Sequence, residues 1–135
     1  MLFDTSIIVN ILRDRNYWEN LKPKLEDSRI TVSALTAYEL YKGAYKQHAK
    51  HGRLNELEVV DRFVATCTIV PIDQKIARIA GSLFSKLEKE GVRASEADLI
   101  ISATAICLNE KICTADEDYL EIARRSELKV YLPSV

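Results

Sequence analysis

Four carboxylates stand where they could do chemistry: Asp4, Glu39, Asp98 and Asp116. Asp4 ends the apolar run Met1 to Phe3, and Glu39 follows the β-branched "RITVS" within the first turns of a helix. Asp98 enters the apolar stretch "EADLIISATAICL", and Asp116 lies just past "KICTA". Taken singly, each reads first as a helix cap. Asp4 precedes a helix beginning near Thr5, Thr36/Glu39 and Ser95/Asp98 fit capping boxes, and Asp116 precedes Glu117. Taken together they read differently. Asp98 sits beside Leu99, Ile100 and Ile101, with no basic residue in the twelve positions after it, and a carboxylate so placed is costly without a compensating charge. Several acids converging on one edge repel one another unless a hard cation lies between them, and oxygen ligands suit Mg²⁺ or Mn²⁺. Such a cation can polarise a phosphodiester and lower the pKa of an attacking water, with no nucleophilic Ser, Cys or His required.

The elements that must position these acids follow from periodicity. Short apolar runs at 1–3, 29–33, 67–72, 111–115 and 129–133 read as strands, the third stopped by Pro71. Between them, helical spacing predicts "TSIIVNILR", a short helix over 16–27, a long one from about 34 to Gly52, another over 53–66, and the clearest over 73–90, ended by Gly91. In the long helix Leu35, Tyr38, Tyr41 and Tyr45 share a face; in the next, Leu54, Leu57, Val60, Phe63 and Val64 do. The helix from Glu96 is apolar on nearly every side, so it should be central and buried. Another short helix starts at Glu117. Alternating strands and helices predict an α/β fold with a mostly parallel sheet covered on both faces. Ligands of such sheets bind beyond the carboxyl ends of the strands, where Asp4, Glu39 and Asp116 would fall.

Composition narrows the class. At 135 residues and 47% hydrophobic, the chain fits a single domain, 1–135, with a proper core. The net charge of −1 neither suggests nor excludes a nucleic-acid partner, since phosphates can be gripped through cations. Cys67, Cys107 and Cys113 form no C-x-x-C pair and read as buried hydrophobes in a reducing compartment. His48 and His51 read as a solvated helix end. With no apolar stretch near ~20 residues and no signal-like N-terminus, a cytoplasmic protein is expected.

In order along the chain, "LFDTSIIVNIL", "TVSALTAYELYKGA", "EADLIISATAI" and "ICTADEDYLEI" resemble the successive motifs of the PIN-domain family, and of its VapC branch, the toxins of VapBC toxin–antitoxin systems. The resemblance runs from residue 2 to the "VYLP" tail. It implies a Rossmann-like α/β/α sandwich, Mg²⁺- or Mn²⁺-dependent endoribonuclease activity, a homodimer and a VapB-like antitoxin. It maps the family's acids onto Asp4, Glu39, Asp98 and Asp116, with Asp118 as an adjacent candidate for the last. Thr5, Ser6 and Thr114 stand where hydroxyls commonly orient the acids. Tyr119 replaces a frequent Phe with no expected effect on chemistry. Ser102 replaces a frequent Ala, its hydroxyl expected to bond back to a helical carbonyl.

Glu39, Lys42 and Lys46 share a helical face, so the lysines are candidate contacts for substrate phosphates, although a solvated face is the favoured reading, since lysines are mostly exposed anyway. The tyrosine-bearing helix and its neighbour over 53–64 are a candidate dimer or antitoxin surface, against ordinary core packing. Competing functions are a PIN nuclease of RNA processing without an antitoxin, a catalytically silent RNA- or protein-binding module, and a Mg²⁺-dependent phosphatase. No G-x-G-x-x-G or Walker motif supports a nucleotide cofactor.

Overall fold

The computed structural model describes residues 1–27, 29–52 and 55–135. Five strands, β1 (Leu2–Phe3), β2 (Thr31–Ser33), β3 (Thr68–Val70), β4 (Ile112–Cys113) and β5 (Val130–Tyr131), form one sheet. Its order is β3-β2-β1-β4-β5, and every neighbouring pair is parallel. Among the described residues seven α-helices accompany it: α1 (Thr5–Arg13), α2 (Arg15–Leu21), α3 (Ala34–His51), α4 (Asn55–Thr66), α5 (Gln74–Lys89), α6 (Glu96–Leu108) and α7 (Asp118–Ala123).

Alternation along the strands divides the core into two layers. Successive strand residues point to opposite faces, and Leu2 and Ile112 join one buried cluster while Phe3 and Cys113 join the other. The first cluster takes Ile76, Leu83 and Leu87 from α5, Leu99 and Ile101 from α6, and Ile122 from α7. The second takes Ile7 and Ile8 from α1, Leu21 from α2, Leu40 and Ala44 from α3, and Val60 from α4. The result is an α/β/α sandwich. The sheet order reverses direction between β1 and β4, which makes the edge beyond their carboxyl ends the switch point.

Several expectations are corrected. The short second helix stops at Leu21, and a 3-10 turn over Lys22–Lys24 replaces its last part. Pro23 lacks the N–H an α-helix needs there, and Leu25 is already extended. In α3 the buried face is Thr36, Leu40 and Ala44, whereas Tyr38 and Tyr45 are 58% and 57% exposed. Tyr38 and Tyr45 are therefore not core, whereas Leu35 and Tyr41 of the same stripe are partly buried and pack against it. Phe84 of α5 is exposed as well. Leu54, expected to start the α4 stripe, lies outside the described residues. Gly52 and Gly91 close α3 and α5 with positive φ, a conformation without penalty only for glycine. Cys113 is buried, but Cys67 and Cys107 are only partly so. His48 is partly buried too, its Nδ1 sealed without a partner among the described residues. No described helix is long and apolar enough to cross a membrane.

Candidate active site

Asp4 leaves β1 at its carboxyl end and immediately precedes α1, yet its side chain caps nothing. Its carboxylate is instead held by three hydroxyls from three parts of the chain. Ser6 Oγ and Thr114 Oγ1 donate to Oδ2 at 2.8 and 2.9 Å, and Tyr119 Oη donates to Oδ1 at 2.9 Å. Asp4 is 5% exposed, while Thr114 and Tyr119 are fully buried. The two hydroxyls on Oδ2 are themselves tied to the loop after β4: Ala115 N donates to Ser6 Oγ and Asp116 N to Thr114 Oγ1. Asp4 is thus coupled through two side chains to the segment that carries Asp116.

In that segment Asp116 accepts the backbone N–H of Asp118 at 2.9 Å, a local cap of the kind aspartate favours at a helix start. The third acid arrives from the other side of the sequence. Ser95 caps α6 by accepting from Asp98 N at 3.1 Å, which fixes Asp98 in the first turn of the most buried helix. One oxygen from each of Asp98, Asp116 and Asp118 lies within 4.8 Å of the others, with Asp98 and Asp116 partly buried and Asp118 exposed. Sequence left the last acid open between Asp116 and Asp118; both enter the cluster.

Glu39 sits apart from that trio. Thr5 Oγ1 donates to Glu39 Oε1 at 2.7 Å and also touches Thr36 Oγ1 at 3.1 Å. The expected Thr36/Glu39 capping box does not form, because Ser33 caps α3 through Leu35 N and places Thr36 inside the helix. Lys42 is exposed and lies over the Tyr38 ring, 5.9 Å from its centroid. Lys46 lines a groove of about 400 Å³ together with Glu39, Leu12, Arg13, Val59 and Val60.

The electrostatics agree with a cation site. Among the described residues no Lys or Arg forms an ion pair with Asp4, Glu39, Asp98, Asp116 or Asp118. Burial raises the pKa of Asp98; the nearby Tyr119 and Ser95 hydroxyls partly offset this, and the charges of Asp4 and Asp116 push it further up. The Tyr119 hydroxyl is pushed up by burial and by Asp4 and Asp98, so it remains a donor. A cluster of oxygen donors with uncompensated charge fits a hard divalent cation. His48 and His51 join no such cluster among the described residues.

Two corrections concern side chains near α6 and α7. Tyr119, read from sequence as chemically neutral, holds an oxygen of Asp4. Its signal was available, since a tyrosine in an otherwise apolar helix face buries a polar tip that needs a partner. Ser102 does not bond back to the helix: its Oγ is buried with no partner among the described residues, whereas Thr104 Oγ1 does donate to Ile100 O at 2.7 Å.

Comparison with known proteins places this arrangement. The chain matches the PIN domain over residues 1–125. It is 30% identical to ribonuclease VapC3 of Methanocaldococcus jannaschii over 102 residues, 76% of this chain and 94% of that one. It is 27% identical to ribonuclease VapC1 of the same organism over 132 residues, 97% and 86% of the two chains. The crystal structure of VapBC2 from Rickettsia felis bound to a DNA fragment from their promoter has the same fold, with a TM-score of 0.81 over 96% of each chain at 23% identity. The all-parallel sheet, the acids at its switch point and the match along nearly the whole chain agree: this protein belongs to the PIN-domain family, in its VapC branch.

Proposed function

We propose that this chain is a metal-dependent endoribonuclease, the toxin of a VapBC-type toxin–antitoxin pair, formed as one PIN domain over 1–135. The observation that carries the chemistry is the unneutralised acidic cluster at the β1/β4 switch point. Its relatives are named ribonucleases.

Asp98 and Asp116, with Asp118 beside them, are the proposed cation ligands, and Asp4 is the buried acid that completes the set. Mg²⁺ or Mn²⁺ is the proposed ion. When bound, it supplies Lewis-acid polarisation of the phosphodiester and a lowered pKa for the attacking water. Ser6 and Thr114 keep Asp4 in register with the Asp116 loop. Glu39, steadied by Thr5, lines the groove as an acid able to orient a water or a further ion. Lys42 and Lys46 are proposed contacts for RNA phosphates; loss of both should weaken RNA binding and flatten its salt dependence.

The groove between α1, α3 and α4 has Glu39 among its lining residues and is the proposed docking site for the VapB-like antitoxin. The structural relative from Rickettsia felis was solved as a VapBC assembly. A homodimer in the cytoplasm is the proposed state of the free toxin.

Cleavage of a mixed RNA pool tests the reaction. Wild-type chain with Mg²⁺ should cut, while wild-type chain with EDTA and Asp98→Asn with Mg²⁺ should not. Equal cleavage in all three samples would exclude the carboxylate–cation mechanism.

A further inference from the structure

Tyr119 is the largest fully buried side chain among the described residues, and its hydroxyl donates to Asp4. The bonds to Asp4 can be counted against what a carboxylate accepts. An ionised carboxylate offers about four lone-pair sites, two on each oxygen. Ser6 and Thr114 occupy both sites on Oδ2, and each spends its only proton there while its own oxygen accepts a backbone N–H of the β4–α7 loop. Tyr119 occupies one site on Oδ1. A single lone pair of Asp4 is left over. The single proton of that hydroxyl goes to Asp4, while Asp98, from α6, lies near enough for its charge to act on the same tyrosine.

We propose that Tyr119 is a positioning residue of the metal site: its hydroxyl takes one lone pair of Asp4 Oδ1 and leaves the other as the one direction from which Asp4 reaches a cation. This inference rests on the cation reading of the site. It makes Asp4 a one-oxygen ligand of set orientation and excludes bidentate binding by that residue. It also gives the tyrosine in "DEDYLEI" a role that phenylalanine at the same position could not fill, although both rings pack the same volume.

The ring of Tyr119 belongs to the core cluster with Ile101, Ile122 and Leu128. Tyr119→Phe keeps that packing and removes only the donor. Support from outside the ligand set is typically worth about 10–100-fold in metal affinity, and that is the loss expected here.

The test is titration of metal-free protein with Mn²⁺, followed by electron paramagnetic resonance, which counts free ion and reports the symmetry of the bound one. Four chains are compared: wild type, Tyr119→Phe, Asp98→Asn, and Tyr41→Phe. The last removes another tyrosine–carboxylate bond, the 2.6 Å contact from Tyr41 to Asp61 between α3 and α4, which involves none of Asp4, Asp98, Asp116 and Asp118. Tyr119→Phe should bind Mn²⁺ about 10–100-fold more weakly, with an altered bound-ion spectrum. Raising Mn²⁺ should restore its RNA cleavage with KM for RNA unchanged. Tyr41→Phe should match the wild type. If Asp98→Asn loses Mn²⁺ while Tyr119→Phe binds it as the wild type does, the positioning role is wrong and the metal site stands. If Asp98→Asn also binds as the wild type does, the cation reading itself fails. A Tyr119→Phe chain that is unfolded without metal by circular dichroism overturns the proposal too, since the hydroxyl would then be supporting the fold.

Discussion

At the scale of the residue, Asp98 carries opposing demands. It is partly desolvated, it faces Asp4 and Asp116, and no described basic side chain pairs with it. Without a cation it should therefore destabilise the fold. Asp98→Asn is expected to raise the melting temperature of metal-free protein by about 2–5 °C, the shift that roughly 0.5–1 kcal/mol produces in a domain of this size. The same change should lower RNA cleavage at least about a hundredfold, beyond the usual loss for a group outside the ligand set. Melting and cleavage of the same preparation check both signs. The pH dependence follows from the raised pKa. Between the ordinary value of 3.8 and the raised folded value, the folded chain holds a proton that the unfolded chain has released. Stability of the metal-free protein should fall as pH rises through that window, since the unfolded state binds fewer protons there. Mn²⁺ binding should strengthen over the same window with release of a proton, measurable by calorimetry in buffers of different ionisation enthalpy. Residue types alone made Asp98 legible, because an acid opening a long apolar run is conspicuous. The partners of Asp4 were less so. Ser6 and Thr114 were flagged by motif, but Tyr119 looked like packing, and only the fold brings its hydroxyl to Oδ1.

At the scale of the element, α6 shows how one helix serves the core and the site together. Ser95 starts it, Asp98 occupies its first turn, and six of its next seven residues are buried. Ser102 is the anomaly, a fully buried hydroxyl with no described partner. An unsatisfied buried polar group carries a desolvation cost, and alanine is the better helix former. Ser102→Ala should stabilise the chain by about 0.5–1.5 kcal/mol in urea unfolding, with metal affinity unchanged. Ser95→Ala should do the reverse on both counts, costing about 1 kcal/mol through the lost cap and weakening Mn²⁺ binding because the turn holding Asp98 frays. Helix positions were largely legible because caps and stops are local: Gly52, Gly91, Ser33 and Asp73 act on neighbours within a few residues. Helix faces were less legible. The stripe of Leu35, Tyr38, Tyr41 and Tyr45 fits helical spacing as well as Thr36, Leu40 and Ala44 does, and nothing local says which stripe meets the sheet.

At the scale of the whole molecule, the exposed Tyr38 and Tyr45, the groove lined in part by Glu39, and Phe84 on the opposite layer leave apolar surface for partners. Light scattering should give the free toxin a mass of twice the 15.3 kDa chain. Adding a VapB-like antitoxin should suppress RNA cleavage and slow hydrogen exchange in α1, α3 and α4; protection confined to α5 would place the partner elsewhere. Sequence by itself determined the alternation of strand and helix, hence the layered α/β class, and the four motifs whose order points to the PIN family. Those are consequences of local periodicity and of residue type, which a chain carries without folding. The tertiary structure decided which acids meet. Asp98 joins Asp116 and Asp118, Glu39 stands aside on Thr5, and Asp4 is clamped by hydroxyls drawn from residues 6, 114 and 119. Such convergence depends on the order of strands in the sheet and the register between β1 and β4. Those are set by long-range burial of both faces, and no local pattern encodes them.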